Sequence, residues 1–234
     1  MEPREIVSDE DWLAARKALL AEEKAFTKAR DALSAARRAL PWRRVAKPYV
    51  FESSDGPQTL PDLFGTCRQL IVIHFMFGPE AETGCVVCSL RADGFDALIP
   101  HLKARDTALV VVSRGRLAAM NAFKARMGWR FPWVSSLGSD FGFDFGVSLA
   151  EGPGTYNYAP RNGPAGEANG TSVFFKDPAT GEVFHTYSTY ARGDDILMSP
   201  YNYLDLTPKG RDEGALPYSV AWIRHHDRYD QGPT

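Results

Sequence analysis

The chain has 234 residues, 44% of them hydrophobic and 24% charged, which suits one generous globular domain or a domain with an added arm. Its 27 basic and 29 acidic side chains leave a formal charge of −2, so no global basic field is available to hold nucleic acid or an anionic membrane. No apolar run approaches the roughly 20 residues of a membrane helix, and the first residues carry no signal-peptide pattern. Three cysteines, Cys67, Cys85 and Cys88, are too few for a disulfide scaffold. The expectation is a cytoplasmic protein in a reducing compartment, where closely spaced cysteines are redox-active or metal-binding.

The first predicted element is a helix over residues 9–39, capped by Ser8, with Asp9, Glu10 and Asp11 at its start and Arg37 and Arg38 near its end. Pro41 stops it. Trp12, Leu19, Phe26, Leu33 and Leu40 recur every seventh residue, a narrow apolar seam about 45 Å long. Such a seam packs either across its own domain or against a second copy as a homodimer. A helical arm is therefore expected over residues 1–44, a globular domain over 45–206 and a polar tail over 207–234.

Residues 47–52 read as a strand, followed by a turn at 55–57 and a short helix at 60–64. The nearly continuous apolar run at 69–77 reads as a central strand buried on both faces. A loop over 78–84 leads into Cys85. The apolar spacing over 85–105 predicts one helix, weakened at Gly94. Residues 108–113 are a second buried strand and 117–127 a helix ended by Gly128. Residues 138–170 hold eight glycines and three prolines, and read as a long loop insertion. Two strands follow, 171–176 and 182–188, joined by a turn at 177–181. A last helix is expected over 194–204.

The chemistry concentrates at Cys85-Val86-Val87-Cys88. A thiol reacts as its thiolate, and a helix N-terminus stabilises negative charge there. Cys85 is thus the candidate nucleophile, with Gly84 leaving its sulfur approachable. Cys88, one turn on, is the candidate resolving thiol. Cys67 reads as packing. Zinc needs about four ligands, and only one such pair is present. His74 lies mid-strand, His101 is about four turns from Cys88, and His185 leaves the set one ligand short. His225 and His226 read as solvent-exposed. Neither metal nor cofactor is expected. Trp129 and Trp133 read as core filling or as an apolar wall beside the thiol. Arg126 and Arg192 read as surface ion pairs or as groups that lower a thiol pKa or bind an acidic substrate. Trp129, Arg126 and His185 are the substrate-binding candidates.

Several strings extend this pattern: Asp62-Leu-Phe64, His74-Phe-Met-Phe-Gly-Pro79, Gly84-Cys-Val-Val-Cys-Ser89 with Asp93, Arg126-Met-Gly-Trp129 with Phe131-Pro-Trp133, and His185-Thr-Tyr-Ser-Thr-Tyr190 with Arg192-Gly193. Over residues 6–211 they resemble the bacterial domain-of-unknown-function family 899, a thioredoxin-like group. More distantly, residues 131–183 resemble the peroxiredoxin and thiol-reductase branch. The resemblance implies an α/β thioredoxin-like fold, a central mixed sheet flanked by helices, with the long helical arm in front. Gly170-Thr171 stands where thioredoxin-type reductases place a proline. Pro79 and Thr83 precede Cys85 with one residue fewer than the peroxiredoxin spacing. The function expected is a thiol–disulfide oxidoreductase or thiol-dependent peroxidase acting on a protein thiol, a disulfide or a peroxide. The alternative is a redox-inactive binding or scaffold protein assembled through its N-terminal helix.

Overall fold

The computed structural model describes residues 4–231. The chain divides into two compact units, residues 1–41 and 42–234. The first is helix α1, Asp9–Arg38. The Ser8 hydroxyl accepts the Asp11 N–H at 3.2 Å and closes the first turn. Its three acidic residues at the start and two arginines at the end match the helix dipole.

The second unit opens with β1, Arg43–Arg44, which pairs antiparallel with a strand near the chain's end. The chain therefore enters the sheet before residue 45, the expected start of the domain. Strand β2, Val50–Ser53, and β3, Gly56–Thr59, form a hairpin in place of the predicted strand at 47–52. Gly56 takes φ +105°, so the turn falls one residue earlier than predicted and Pro57 lies in the edge strand. A 3-10 turn at Asp62–Phe64 buries Leu63 and Phe64.

Strand β4, Gln69–His74, leads through the cysteine loop to α2, Val86–Ala92, and α3, Phe95–Lys103. The single helix predicted here is two, because Asp93 ends the first and Gly94 begins the second. Strand β5, Thr107–Ser113, pairs parallel with β4, and α4, Leu117–Arg126, leads to β6, Trp133–Ser135, parallel to β5.

The predicted loop at 138–170 is structured. It contains α5, Phe141–Asp144; β7, Ser148–Leu149; a hairpin of β8, Gly152–Tyr156, and β9, Ala159–Gly163; and β10, Gly166–Glu167, which pairs with β7. Its apolar residues are too few for a periodic signal, yet Phe141, Phe145 and Val147 are all buried. Strands β11, Gly170–Lys176, and β12, Val183–Tyr190, pair antiparallel, and β11 pairs antiparallel with β4. A 3-10 segment, Ala191–Leu197, and α6, Ser199–Leu204, replace the last predicted helix. Met198 at ψ 76° separates them.

The main sheet runs β1-β12-β11-β4-β5-β6-β2-β3. A parallel βαβ pair followed by an antiparallel ββ pair and helix, ordered β12-β11-β4-β5, is the thioredoxin-like arrangement. One face packs Leu70, Val72, Val110, Val112 and Phe174 against Tyr49, Phe51, Phe141 and Phe145. The other packs Ile73, Leu109 and Val111 against residues of α2, α3 and α4, together with Trp129 and Trp133. Among the described residues no helix is long and apolar enough to cross a membrane.

Candidate functional site

The cysteine pair sits where β4 hands the chain to α2. Cys85 is the N-cap, with its N–H bonded to the Met76 carbonyl at 3.2 Å. Its sulfur accepts the Cys88 backbone N–H at 3.5 Å. The Ser89 hydroxyl donates to the Cys85 carbonyl at 2.9 Å and fixes the turn. All three cysteines are free thiols. Cys85 is half-buried, whereas Cys88 and Cys67 are buried.

The two sulfurs are driven apart in acidity. The Cys88 thiol hydrogen bond is the largest cause lowering the Cys85 pKa to about 6, against burial, which raises it. The backbone N–H groups of Cys88 and Val87 and the Arg91 charge act in the same lowering direction. Cys88, as donor in that hydrogen bond and fully buried, is pushed well above the ordinary thiol value. One thiol is prepared as an anion and its neighbour is kept protonated.

Two openings meet at Cys85. One is a pocket of about 270 Å³ whose wall includes Met76, Val87, Met198 and Val220, with Cys88, Arg91 and Asp194 also lining it. The other is a more open groove of about 620 Å³ between residues 78–85 and β7 and β10, where Glu167 lies. Arg114 donates to Glu167 at 3.0 Å and Ser148 at 2.8 Å, while burial holds the Glu167 carboxyl above its usual range. Residues Leu149, Ala165, Gly166, Glu167 and Asn169 of the structured 138–170 segment thus border the cysteine site.

The other candidates lie elsewhere. Trp129 is buried among Phe75, Phe123, Phe131 and Trp133, and its indole N–H donates to Asp93 at 2.8 Å. It does not line either opening, which favours core filling. His185 is on the opposite face of the sheet from α2, against Phe145 and Phe174. There it ends a hydrogen-bonded chain, His74–Ser172–Ser188–His185, with steps of 2.8, 2.8 and 2.7 Å. It lines neither opening at Cys85. Arg126 does not touch the thiols either. It donates to His225 Nδ1 at 2.7 Å, and the His225 Nε2–H then donates to the Gly84 carbonyl at 2.9 Å. Arginine can only donate, so this contact assigns the neutral histidine tautomer. Arg192 pairs with Asp195 at the pocket's mouth.

The expected exposure of His225 is therefore incorrect. It is 6% exposed and packs edge-on to Phe123. Ile223, Met198 and Tyr201 cover Val86, Val87 and Leu90 of α2, while His226 bonds Asp93 at 2.7 Å. The polar tail carries no periodic pattern that would have revealed this docking. Arg91, Asp194 and Asn169 also escaped the sequence reading, and Thr171 entered it only as the residue in the place of the reductase proline. Arg91 alone had a signal, standing one turn beyond Cys88 on a helix whose other faces bury apolar residues. Among the described residues, no group of three or more His, Cys, Asp or Glu side chains is placed to hold a metal ion.

Solved structures similar to the chain include a mutant of PrxQ from Xylella fastidiosa, at 16% identity and TM-score 0.43, covering 69% of this chain and 95% of that one. Peroxidoxin BcpB from Mycobacterium tuberculosis has 15% identity and TM-score 0.46, with coverages of 68% and 94%. Peroxiredoxin Q from Xanthomonas campestris has 17% identity and TM-score 0.42, with coverages of 70% and 96%. No curated protein matches the chain in sequence. The family model described as "Bacterial protein of unknown function (DUF899)" matches residues 1–229, and the chain belongs to that family.

Proposed function

We propose that the chain is a thiol-dependent oxidoreductase in which Cys85 attacks and Cys88 resolves. The observation that carries this reading is the placement of the two sulfurs, Cys85 half-buried at a helix cap that lowers its pKa and Cys88 buried one turn away where its pKa is raised. With a disulfide substrate, the Cys85 thiolate attacks one sulfur, forms a mixed disulfide and expels the other as a thiolate. Cys88 then loses its proton, attacks Cys85 and releases the second thiol. The protein is oxidised to a Cys85–Cys88 disulfide and the substrate is reduced to two thiols. With a hydroperoxide, Cys85 takes the terminal oxygen as a sulfenic acid and releases an alcohol or water. Cys88 then condenses with it, expelling water. Each cycle needs an external thiol reductant, in keeping with a reducing cytoplasmic setting.

The test is rapid mixing of the reduced protein with a small disulfide or with hydrogen peroxide, following loss of two thiols per chain. Cys85→Ser should abolish the reaction. Cys88→Ser should stop it at a mixed disulfide or sulfenic acid at Cys85. Alkylation across pH, with site assignment, should label Cys85 first, with an apparent pKa well below the roughly 8.5 of a free thiol. Labelling first at Cys67, or ordinary titration of Cys85, would defeat the reading. The seventh-residue seam of α1 favours the second reading, a scaffold without redox activity, which gains if neither oxidant consumes thiols.

A further inference from the structure

Arg91 stands one turn beyond Cys88 on α2 and is almost fully withdrawn from water. Its side chain is 3% exposed, and that of Asp194, 2.7 Å away, is 4% exposed. A buried ion pair is a poor source of stability, because desolvating both charges offsets most of their attraction. An apolar pair of similar volume often serves as well. This one is nonetheless held with care. Asp194 accepts from Thr171 Oγ1 at 2.9 Å on one oxygen and from Asn169 Nδ2 at 3.3 Å on the other. Arg91 also donates to Thr171 Oγ1 at 3.3 Å, and its guanidinium lies 6.0 Å from the Phe95 ring centroid. Both charged groups line the same pocket as Cys85 and Cys88.

We propose that Arg91 and Asp194 are a positioning pair for the thiols: Arg91 supplies the buried positive charge that favours a negative sulfur at Cys85, and Asp194 holds that charge in place and attenuates it. The inference rests on Cys85 being the nucleophile. The same charge serves both directions of the chemistry, since Cys85 is an anion when it attacks and again when it leaves as the internal disulfide is re-reduced. Other charged groups around the site are engaged with one another. Arg192 is held by Asp195, Tyr201 donates to Glu213, and Arg114 donates to Glu167 across the groove. His225 meets the cysteine loop through the Gly84 carbonyl, as a neutral ring. Arg91 lines the pocket with both sulfurs, and its charge favours the anionic form of each, adding to the larger effect of the Cys88 hydrogen bond on Cys85.

The experiment is alkylation of Cys85 by iodoacetamide, an uncharged probe, between pH 4 and 10 in the reduced full-length chain. Arg91→Met should raise the apparent Cys85 pKa and lower the thiolate fraction on the acid side, by less than Cys88→Ala does through loss of the thiol hydrogen bond. Arg91→Lys should stay close to the parent. Asp194→Asn should move the pKa the opposite way, downward, because the arginine loses its counter-charge. A merely structural pair would give shifts of one sign in both variants, or none, and either result would overturn the proposal. If Asp194→Asn does not fold, the contrast between Arg91→Met and Arg91→Lys decides: equal titrations refute it. An ordinary thiol pKa in the unmodified chain would instead refute the nucleophile assignment, so the two failures are distinct.

Discussion

Gly84→Ala is a small change with a calculable cost. The glycine was expected to leave the Cys85 sulfur approachable, but its position is one of close packing. A Cβ there would lie 2.6 and 2.8 Å from Phe75 Cε1 and Cζ and 2.9 Å from Phe123 Cε1. Carbon atoms in contact sit about 3.5–4.0 Å apart, so the overlap is roughly 1 Å on two rings. Neither ring can yield, because Phe75 and Phe123 are 3% and 2% exposed and meet Trp129 and Trp133 in edge-on and tilted contacts. Overpacking of this kind costs about 1–3 kcal/mol, and two buried rings place it in the upper half. Restricting the unfolded chain returns about 0.4–1 kcal/mol. A net loss of about 2 kcal/mol lowers the melting temperature of a unit this size by about 4–8 °C. The backbone must move outward, drawing the Gly84 carbonyl from His225 and shifting the capping of Cys85. Calorimetry of the reduced protein together with Cys85 alkylation checks both effects. A variant within about 0.5 kcal/mol of the parent, with unchanged alkylation, would show that the loop is not wedged between the rings.

Phe141→Ala should cost about 3–5 kcal/mol in urea unfolding, since the side chain is fully buried among Tyr49, Phe51, Phe145 and Phe174; a loss below 1 kcal/mol would mean that the 138–170 segment does not belong to the core. Acid should destabilise the protein below pH 6.5, because burial holds the His74 pKa at about 3 and the unfolded chain therefore binds the extra proton first. That stability is complete above the unfolded value near 6.5 and declines toward pH 3, by at most about 2 kcal/mol between pH 6.5 and 5; urea midpoints that do not fall over this range would contradict a neutral His74. Cys85 acts on the other side of neutrality: its lowered pKa makes the reduced form gain stability as pH rises from about 6 toward 9, a gain that Cys85→Ser should remove. A homodimer through the α1 seam is proposed from the seventh-residue spacing of Trp12, Leu19, Phe26 and Leu33. Light scattering should then report a dimer for the parent and a monomer for Leu19→Glu with Phe26→Glu, and a monomer for both would retire it.

The parts legible in the sequence were those whose burial is periodic or total. The apolar run at 69–77 and the residues of β5 have almost no polar face to present, so both read as central strands; β4 takes the first six residues of that run, ending at His74, and pairs parallel with β5. The position of Cys85 followed from the same logic, as the first residue after a loop that leaves a buried strand. What escaped was held together by long-range contacts between residues with no common pattern. Asp194 lies in a run of polar residues and is buried only because Arg91, Thr171 and Asn169 come to meet it. Lys47 was placed in a strand, but it reaches Asp140 and Asp144 at 2.8 and 2.6 Å, contacts that tie both ends of α5, at the start of the predicted loop, to the segment before β2. The structured 138–170 segment was hidden by its glycines, which signal turns and leave the turns' spatial neighbours unspecified.

The hydrogen bond from His225 to Gly84 joins residues 141 positions apart. A ribosome adding about 5–20 residues per second leaves an interval of roughly 7–28 s between making the cysteine loop and making the residue that ties it down. Asp194 also emerges well after Arg91, so the acidic thiol, the charge beside it and the cover over α2 are completed in that sequence, from the inside outward. During synthesis α2 and its cysteines pass through a stage in which they are made but not yet covered. The cover arrives last, when Ile223 and His225 pack onto α2 and the cysteine loop, and a ribosome-bound chain truncated before residue 220 has the groups that tune the sulfurs without that cover.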